Sequence, residues 1–103
     1  MKLRFGMVGG GEGSMIGPVH RLAAQHSGEA ELVCGAFSST PDRSYRSGQR
    51  LYQLAAHRCY ASYSDMFAKE AALPADKRMN FVVIATPNHL HFPVAMAALA
   101  ADF

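Results

Sequence analysis

An apolar segment that runs directly into a cluster of glycines is the feature that most constrains how this chain of 103 residues can fold. The segment Leu3–Val8 has the pattern of a strand, the cluster Gly9-Gly10-Gly11-Glu12-Gly13 follows it, and helical spacing begins at Gly17. Glycine tolerates φ > 0 and has no Cβ, so the N–H groups of such a turn can approach phosphate oxygens closely. The start of the next helix adds unpaired N–H groups and a positive dipole end. This order predicts a nucleotide-binding turn and leaves the nucleotide open.

The rest of the chain alternates between strand and helix patterns. The predicted strands are Leu3–Val8, Glu31–Phe37, a short one at Tyr60–Tyr63, and Phe81–Thr86. The predicted helices are Gly17–His26, Pro41–His57 with Thr40 as its cap, one capped by Ser64 or Asp65, and His91–Ala101. This alternation predicts an α/β fold, a Rossmann-type doubly wound parallel sheet. The strand ends at Val8, Phe37 and Thr86 are expected to meet at the edge where such sheets bind ligands.

The last predicted helix is not followed by a further strand, although a sheet of this type calls for one. We therefore expect residues 1–103 to be a dinucleotide-binding domain that is the incomplete N-terminal part of a two-domain protein.

Composition excludes several classes of function. The formal net charge of +2 is small and scattered, so neither nucleic acid nor a membrane surface is an expected partner. No apolar run approaches the ~20 residues of a membrane span, and the N-terminus lacks the apolar core of a secretory signal. Cys34 and Cys59 are expected to be buried thiols in a reducing compartment, with a disulfide between them as the alternative. The predicted location is the cytoplasm.

The glycine cluster matches the dinucleotide fingerprint G-x-G-x-x-G only in part. Gly9 and Gly11 fit its first two positions, but the third falls on Ser14 unless Gly17 takes that role after three inserted residues. The looser G-x-G-x-G of methyltransferases that bind S-adenosylmethionine is also satisfied. That class needs a carboxylate at the end of the second strand, where this chain has Ser38. A glycine turn without a ligand is the remaining alternative.

The end of the second strand bears on the choice between NAD and NADP. An NAD site usually has Asp or Glu here for the ribose 2′-OH, whereas a 2′-phosphate favours hydroxyls and an arginine. This chain has Ser38, Ser39 and Thr40, followed by Arg43. The pattern favours NADP. A helix cap followed by a solvated arginine explains the same residues without a ligand.

A third candidate segment is the turn Thr86-Pro87-Asn88-His89-Leu90-His91, which follows the most apolar strand. Proline ends the strand and is expected to expose Thr86 and Asn88 beside the glycine turn. The alternative is a plain strand-to-helix turn with Asn88 as the helix cap. Metal binding by His89 and His91 is not expected, because residues two apart on a helix point in different directions and no third ligand is near.

Taken together, these segments resemble the N-terminal domain of the glucose–fructose oxidoreductase/inositol dehydrogenase/rhizopine catabolism (Gfo/Idh/MocA) family. Gly9-Gly10-Gly11 with Gly17-x-x-His20 is similar to the family's G-x-G…G-x-x-H opening. Gly35-Ala36-Phe37-Ser38-Ser39 with Asp42-Arg43-Ser44 resembles its second-strand exit. Thr86-Pro87-Asn88-His89-Leu90-His91 is similar to its [ST]-P-N-x-x-H turn, the most specific of the three, and the set covers nearly all of the chain.

The resemblance implies an NAD(P)-dependent oxidoreductase that transfers a hydride to or from a hydroxyl-bearing carbon of a sugar, inositol or related polyol. The expected cofactor-binding residues are Gly9, Gly11, Gly13, Ser14, Ile16, Ser38, Ser39, Arg43, Thr86, Pro87, Asn88 and His91. Ser38 with Arg43 is similar to the arrangement in NADP-using members. The inserted segment 12–16 leaves open which N–H groups meet the diphosphate.

The family's catalytic lysine lies in a Glu-Lys-Pro motif after the next strand, and its catalytic histidine and aspartate lie in a second domain. None of these falls within residues 1–103, so we expect this chain alone to bind a cofactor without turning over substrate. The complete protein is expected to be a homo-oligomer. A non-catalytic module that only senses NAD(P) is the second hypothesis.

Overall fold

Three parallel strands form the sheet that positions the candidate site. The computed structural model describes residues 3–11, 28, 30–38, 40–86 and 88–103, and for residues 88–90 it describes the backbone. The strands are β1 (Leu3–Gly9), β2 (Ala30–Ala36) and β3 (Phe81–Ala85), in the order β2-β1-β3. Both pairings of the central strand β1 are parallel. The parallel α/β sheet predicted from the sequence is confirmed.

Three helices and one short 3-10 turn follow the strands in the described part of the chain. The helices are α1 (Pro41–Leu51), α2 (Tyr63–Ala71) and α3 (Asn88–Ala100), and the turn is Ala56–Arg58. The helix predicted at Gly17–His26 lies outside the described residues. Among the described residues, no helix is both long and apolar enough to cross a membrane.

The end of α1 differs from the prediction that this helix runs to His57. The helix begins at Pro41 as predicted, although the side chain of Thr40 donates and accepts no capping hydrogen bond. It ends at Leu51 because Gln53 adopts a left-handed φ of +52°, and the N–H of Leu54 then bonds back to the Gly48 carbonyl at 3.0 Å. A left-handed residue at the end of a helix is usually glycine, so the glutamine at this position gives no indication in the sequence that the helix ends.

The strand predicted at Tyr60–Tyr63 is not formed. Cys59 makes a single parallel bridge to Gly35, and the N–H of Tyr60 donates to the Gly35 carbonyl at 2.8 Å. The chain then enters α2, because the Ser62 hydroxyl accepts a hydrogen bond from the Asp65 N–H at 3.1 Å and caps the helix. The cap is therefore Ser62, and the prediction of Ser64 or Asp65 was wrong.

The start of α3 also differs from the predicted start at His91. The helix begins at Asn88, directly after the turn that follows β3, and Asn88 is its first helical residue instead of the cap before it. The described residues of the [ST]-P-N-x-x-H segment therefore lie at the junction between β3 and α3.

Side chains alternate between the two faces of the sheet and form two cores. Phe5 and Met7 of β1 pack on one face, in a cluster that also contains Leu32, Phe37 and Tyr52. On the other face, Val8 packs with residues of α2 and α3, among them Met66, Phe67, Val94 and Ala98. The described helices therefore cover both faces of the sheet, as parallel sheets require. Cys34 and Cys59 are both buried and free, as predicted for buried thiols.

A fully buried carboxylate joins α2 to the segments around it. The Glu70 side chain is 0% exposed and accepts two hydrogen bonds from the Arg58 guanidinium, each at 3.0 Å. It also accepts from the Tyr60 hydroxyl at 2.6 Å and from the Met79 N–H at 2.9 Å. Burial, together with the hydrogen bond to Glu70, raises the pKa of Tyr60. The Glu70 cluster therefore joins α2 to the segment around Cys59 and to Met79, which lies just before β3.

We predict that Glu70→Ala lowers the free energy of unfolding by about 3 kcal/mol or more, because it leaves the partners of a buried ion pair unsatisfied. Lys69→Ala on the same helix is the matched control. It removes only the exposed pair to Asp65 at 3.5 Å, which contributes less than about 1 kcal/mol. Urea unfolding followed by circular dichroism measures both variants. Equal losses of stability would contradict the role assigned to the Glu70 cluster.

Candidate functional site

The carboxyl ends of the three strands meet at one edge of the sheet. Val8 pairs with Ala36 of β2 and with Ile84 of β3, and Gly9 pairs with Ala85. The segments that leave the strands at Gly10, Phe37 and Thr86 are therefore neighbours. In open parallel sheets, ligands bind at this edge. The structure thus confirms that the three strand ends singled out from the sequence converge.

Gly9 allows β1 to leave the sheet in close contact with β3. Its φ is +85°, and a Cβ built on Gly9 would lie 2.5 Å from the Ala85 carbonyl oxygen and 3.1 Å from the Thr86 nitrogen. Both contacts are to backbone, which cannot move aside as a flexible side chain would. Gly9 therefore brings the glycine turn directly against the Thr86 turn.

The next two glycines contact the exit of β2 and the residue that follows α1. A Cβ on Gly11 would lie 2.6 Å from the Phe37 carbonyl oxygen and 3.0 Å from the Ser47 hydroxyl. The Gly10 carbonyl accepts a hydrogen bond from the Tyr52 hydroxyl at 2.5 Å. The beginning of the glycine turn is thus packed between β3 on one side and the exit of β2 on the other.

The exit of β2 is organised by a buried serine of α1. The Ser44 hydroxyl accepts from the Phe37 N–H at 2.9 Å and donates to the Tyr60 carbonyl at 2.6 Å. Immediately after Phe37, the Ser38 hydroxyl accepts from the Thr40 N–H at 3.2 Å. Arg43 lies exposed on the first turn of α1. Ser38 and Arg43 are therefore placed on consecutive segments at the carboxyl edge, with the Arg43 guanidinium accessible.

The junction of β3 and α3 is closed by His91. Its Nε2 lies 2.7 Å from the Thr86 carbonyl oxygen. A carbonyl oxygen can only accept, so Nε2 is the donor of this hydrogen bond. His91 thereby holds the Thr86 turn against the start of α3.

The Thr86 hydroxyl indicates whether the carboxyl edge can accept a polar ligand. The expectation that Thr86 is exposed is wrong for its hydroxyl: the Oγ1 atom is buried, and it has no hydrogen-bond partner among the described residues. A buried hydroxyl without a partner costs about 1–3 kcal/mol, and a ligand group can remove that cost. The hydroxyl follows β3 beside Gly9, where a dinucleotide would cross the strand ends. The described residues therefore fit a polar group at this position.

The opposite edge of the sheet is built differently. The N–H of Arg4 donates to the Asn80 side-chain oxygen at 2.8 Å, and the N–H of Asn80 donates to the Arg4 carbonyl at 2.6 Å. An open cavity of about 240 Å³ lies at this edge, lined by Ala75, Arg78, Met79, Asn80, Asp102 and Phe103. The residues that line this cavity include neither a glycine nor the first turn of a described helix, so the carboxyl edge is the stronger candidate for an anionic ligand.

The expected site residues fall into three groups. Gly9, Gly11, Ser38, Arg43, Thr86 and His91 are described and lie on the segments that meet at the carboxyl edge. Asn88 is described only as the first residue of α3. The residues outside the described part of the chain are Gly13, Ser14, Ile16, Ser39 and Pro87.

Two residues that organise the site are not among the site residues predicted from the sequence. Ser44 and Tyr52 contact the exit of β2 and the glycine turn, respectively. A signal for the buried face of α1 was present, because the small residues Ser44, Ser47 and Gly48 recur at helical spacing. No sequence pattern marks the bond between Tyr52 and Gly10, which are 42 residues apart.

The described ionisable groups bear on two further kinds of site, a metal site and an activated thiol. No cluster of three or more His, Cys, Asp or Glu side chains suited to a metal occurs among them. Burial raises the pKa of both Cys34 and Cys59, so these thiols stay protonated and poorly nucleophilic at neutral pH.

A parallel sheet with a glycine turn at its central strand defines a Rossmann-type domain. The comparison with protein families agrees: the GFO_IDH_MocA family model, described as an oxidoreductase family with an NAD-binding Rossmann fold, matches residues 3–103. The chain belongs to this family.

Individual relatives support the same assignment. The chain is 41% identical over 100 residues to the uncharacterized oxidoreductase YfiI of Bacillus subtilis (strain 168), covering 96% of this chain and 25% of YfiI. An oxidoreductase from Pseudomonas syringae is 44% identical with a TM-score of 0.88, covering 98% of this chain and 27% of that protein. An inositol dehydrogenase homolog from Azotobacter vinelandii, crystallised with NADH and myo-inositol, is 40% identical with a TM-score of 0.91, at 98% and 26% coverage. The chain thus spans about a quarter of the length of these relatives.

We predict that Gly9→Ala destabilises the domain by at least about 1 kcal/mol more than Gly28→Ala, since displacing packed backbone costs about 1–3 kcal/mol. Gly28 is the matched control: its φ is +75°, and nothing lies within 4 Å of a Cβ built there. Gly28→Ala therefore carries only the cost of a left-handed alanine. Urea unfolding of both variants measures the difference in the free energy of unfolding. Equal decreases would show that the close contact with Ala85 does not require glycine at position 9.

Proposed function

We propose that this chain is the cofactor-binding part of an NAD(P)-dependent oxidoreductase that transfers a hydride between the nicotinamide and a hydroxyl-bearing carbon of a sugar, inositol or related polyol. The observation that carries the proposal is the convergence of the glycine turn, the Ser38 segment and the Thr86 turn at one edge of a parallel sheet. Family membership supports the oxidoreductase class, and the homolog crystallised with NADH and myo-inositol supports the substrate class.

In this proposal, Gly9 and Gly11 keep the turn close to the sheet so that the backbone of residues 9–16, including Gly13, Ser14 and Ile16, can receive the diphosphate. Ser38, Ser39 and Arg43 receive the adenosine ribose, while Thr86, Pro87, Asn88 and His91 flank the nicotinamide side. When bound, the nicotinamide would supply the hydride transfer. The residues named here would bind the dinucleotide and orient it.

The proposed preference between the two dinucleotides is for NADP. No carboxylate follows β2 at residue 38, and the accessible Arg43 lies on the next helix. A carboxylate would repel a 2′-phosphate, whereas a guanidinium can form a bidentate, charge-assisted pair with it. The family description and the homolog bound to NADH support nicotinamide dinucleotides generally, so the 2′-phosphate is the point that needs a test.

We expect the complete protein to bind NADPH more tightly than NADH, and Arg43→Ala to remove most of that difference because it removes the guanidinium proposed to pair with the 2′-phosphate. Arg50→Ala, in the last turn of the same helix, is the matched control and should leave the preference unchanged. Isothermal titration with both dinucleotides measures the ratio. Equal affinities in the unmodified protein, or a preference for NADH, would contradict the NADP assignment.

The binding site itself is tested by Gly11→Val, which places a branched side chain against the Phe37 carbonyl and the Ser47 hydroxyl. We expect the variant to lose binding of both dinucleotides, because the turn cannot keep its place beside β2. Retained affinity in a folded variant would locate the diphosphate elsewhere.

The oxidoreductase and sensor hypotheses predict different results in a turnover assay. Reduction of NADP⁺ or NAD⁺ by the complete protein in the presence of myo-inositol, followed at the nicotinamide absorbance, supports the oxidoreductase. Dinucleotide binding with no turnover of any member of a panel of polyols and sugars would favour a sensor instead.

A further inference from the structure

We propose that Tyr52 is a positioning residue for the dinucleotide diphosphate, acting through its hydroxyl on the peptide unit between Gly10 and Gly11. The inference rests on the proposed dinucleotide site and adds a residue that lies outside the glycine turn, directly after α1.

The position of the Tyr52 side chain is fixed from several sides. The residue is 3% exposed, and its ring stacks on that of Phe37 with centroids 4.8 Å apart and planes at 28°. Its hydroxyl donates to the Gly10 carbonyl at 2.5 Å, with Met7 Sδ 3.8 Å away. The ring is thus held in the core, and the hydroxyl meets the glycine turn at one defined point.

The bond from Tyr52 determines which way the Gly10–Gly11 peptide faces. In a trans peptide, C=O and N–H point in opposite directions, so a carbonyl turned toward Tyr52 directs the Gly11 N–H to the opposite side. Gly10 has a φ of +72°, and glycine can adopt many other conformations. Without the bond, rotation of this peptide would bring a carbonyl oxygen toward the anion. With it, the side of the turn away from Tyr52 presents the Gly11 N–H, a group that attracts phosphate.

This role is distinct from filling the core. Tyr52 belongs to the cluster of Phe5, Met7, Leu32 and Phe37, and a phenylalanine would fill the same space. The phenylalanine would lack the hydroxyl that donates to the Gly10 carbonyl. If Tyr52 served packing alone, its substitution would lower the stability of the domain. The affinities for all ligands of the site would then fall by the same factor.

The test compares ADP-ribose, which carries the diphosphate, with adenosine, which does not. In the complete protein, we expect Tyr52→Phe to weaken binding of ADP-ribose about 5- to 20-fold, the effect of losing one buried hydrogen bond, and to leave binding of adenosine within about twofold. Tyr45→Phe is the matched control, since Tyr45 lies on the exposed face of α1, and it should change neither affinity. Isothermal titration measures both ligands.

A second pair of variants keeps the test informative if Tyr52→Phe does not fold. Incorporation of 4-aminophenylalanine at position 52 retains a donor in place of the hydroxyl, whereas 4-methylphenylalanine fills the same volume without one. We expect the amino variant to bind ADP-ribose at least about threefold more tightly than the methyl variant, with equal binding of adenosine. Equal affinities of the two variants for ADP-ribose, or a proportional loss of both ligands in Tyr52→Phe, would overturn the positioning role while leaving the dinucleotide site intact. Failure of the unmodified protein to bind ADP-ribose would overturn both.

Discussion

The close approach of the central strand to β3 at Gly9 is the constraint on which the site depends. A side chain there would lie 2.5 Å from the Ala85 carbonyl oxygen, so only glycine lets the turn leave the sheet beside Thr86. Gly11 makes the equivalent approach to the exit of β2. Between them, the Gly10 carbonyl is bonded to Tyr52. Three consecutive residues thus connect the central strand with both neighbours, and the groups proposed to bind the dinucleotide are brought together by backbone packing.

Much of this arrangement can be predicted from the sequence, because it depends on local patterns. The apolar strands, the glycines after β1 and Pro41 at the start of α1 identify the α/β fold and its ligand-binding edge. The strand-to-helix turn at Thr86 was likewise identified from a proline after an apolar run. These features act over a few residues, so the order of residue types is sufficient to find them.

The features that were missed depend on contacts between distant residues or on an unusual residue at a special position. Gln53 has a left-handed backbone where glycine is usual, so the end of α1 was placed six residues too late, at His57 instead of Leu51. The segment after Cys59 makes only one bridge to β2, because Ser62 starts a helix. Glu70 and Tyr52 are buried polar groups whose partners come from other elements, and no local pattern indicates them.

The central claim, that the carboxyl edge of the sheet binds the dinucleotide, is tested most directly by hydrogen–deuterium exchange of the complete protein with and without NADP⁺ or NAD⁺. We expect slower exchange in peptides that contain Gly9–Gly11, Ser38 and the Thr86–His91 turn. Exchange in the segment from Pro74 to Asn80, at the opposite edge, should be unchanged. Protection confined to that opposite edge, or no change at the glycine turn when the dinucleotide is bound, would contradict it.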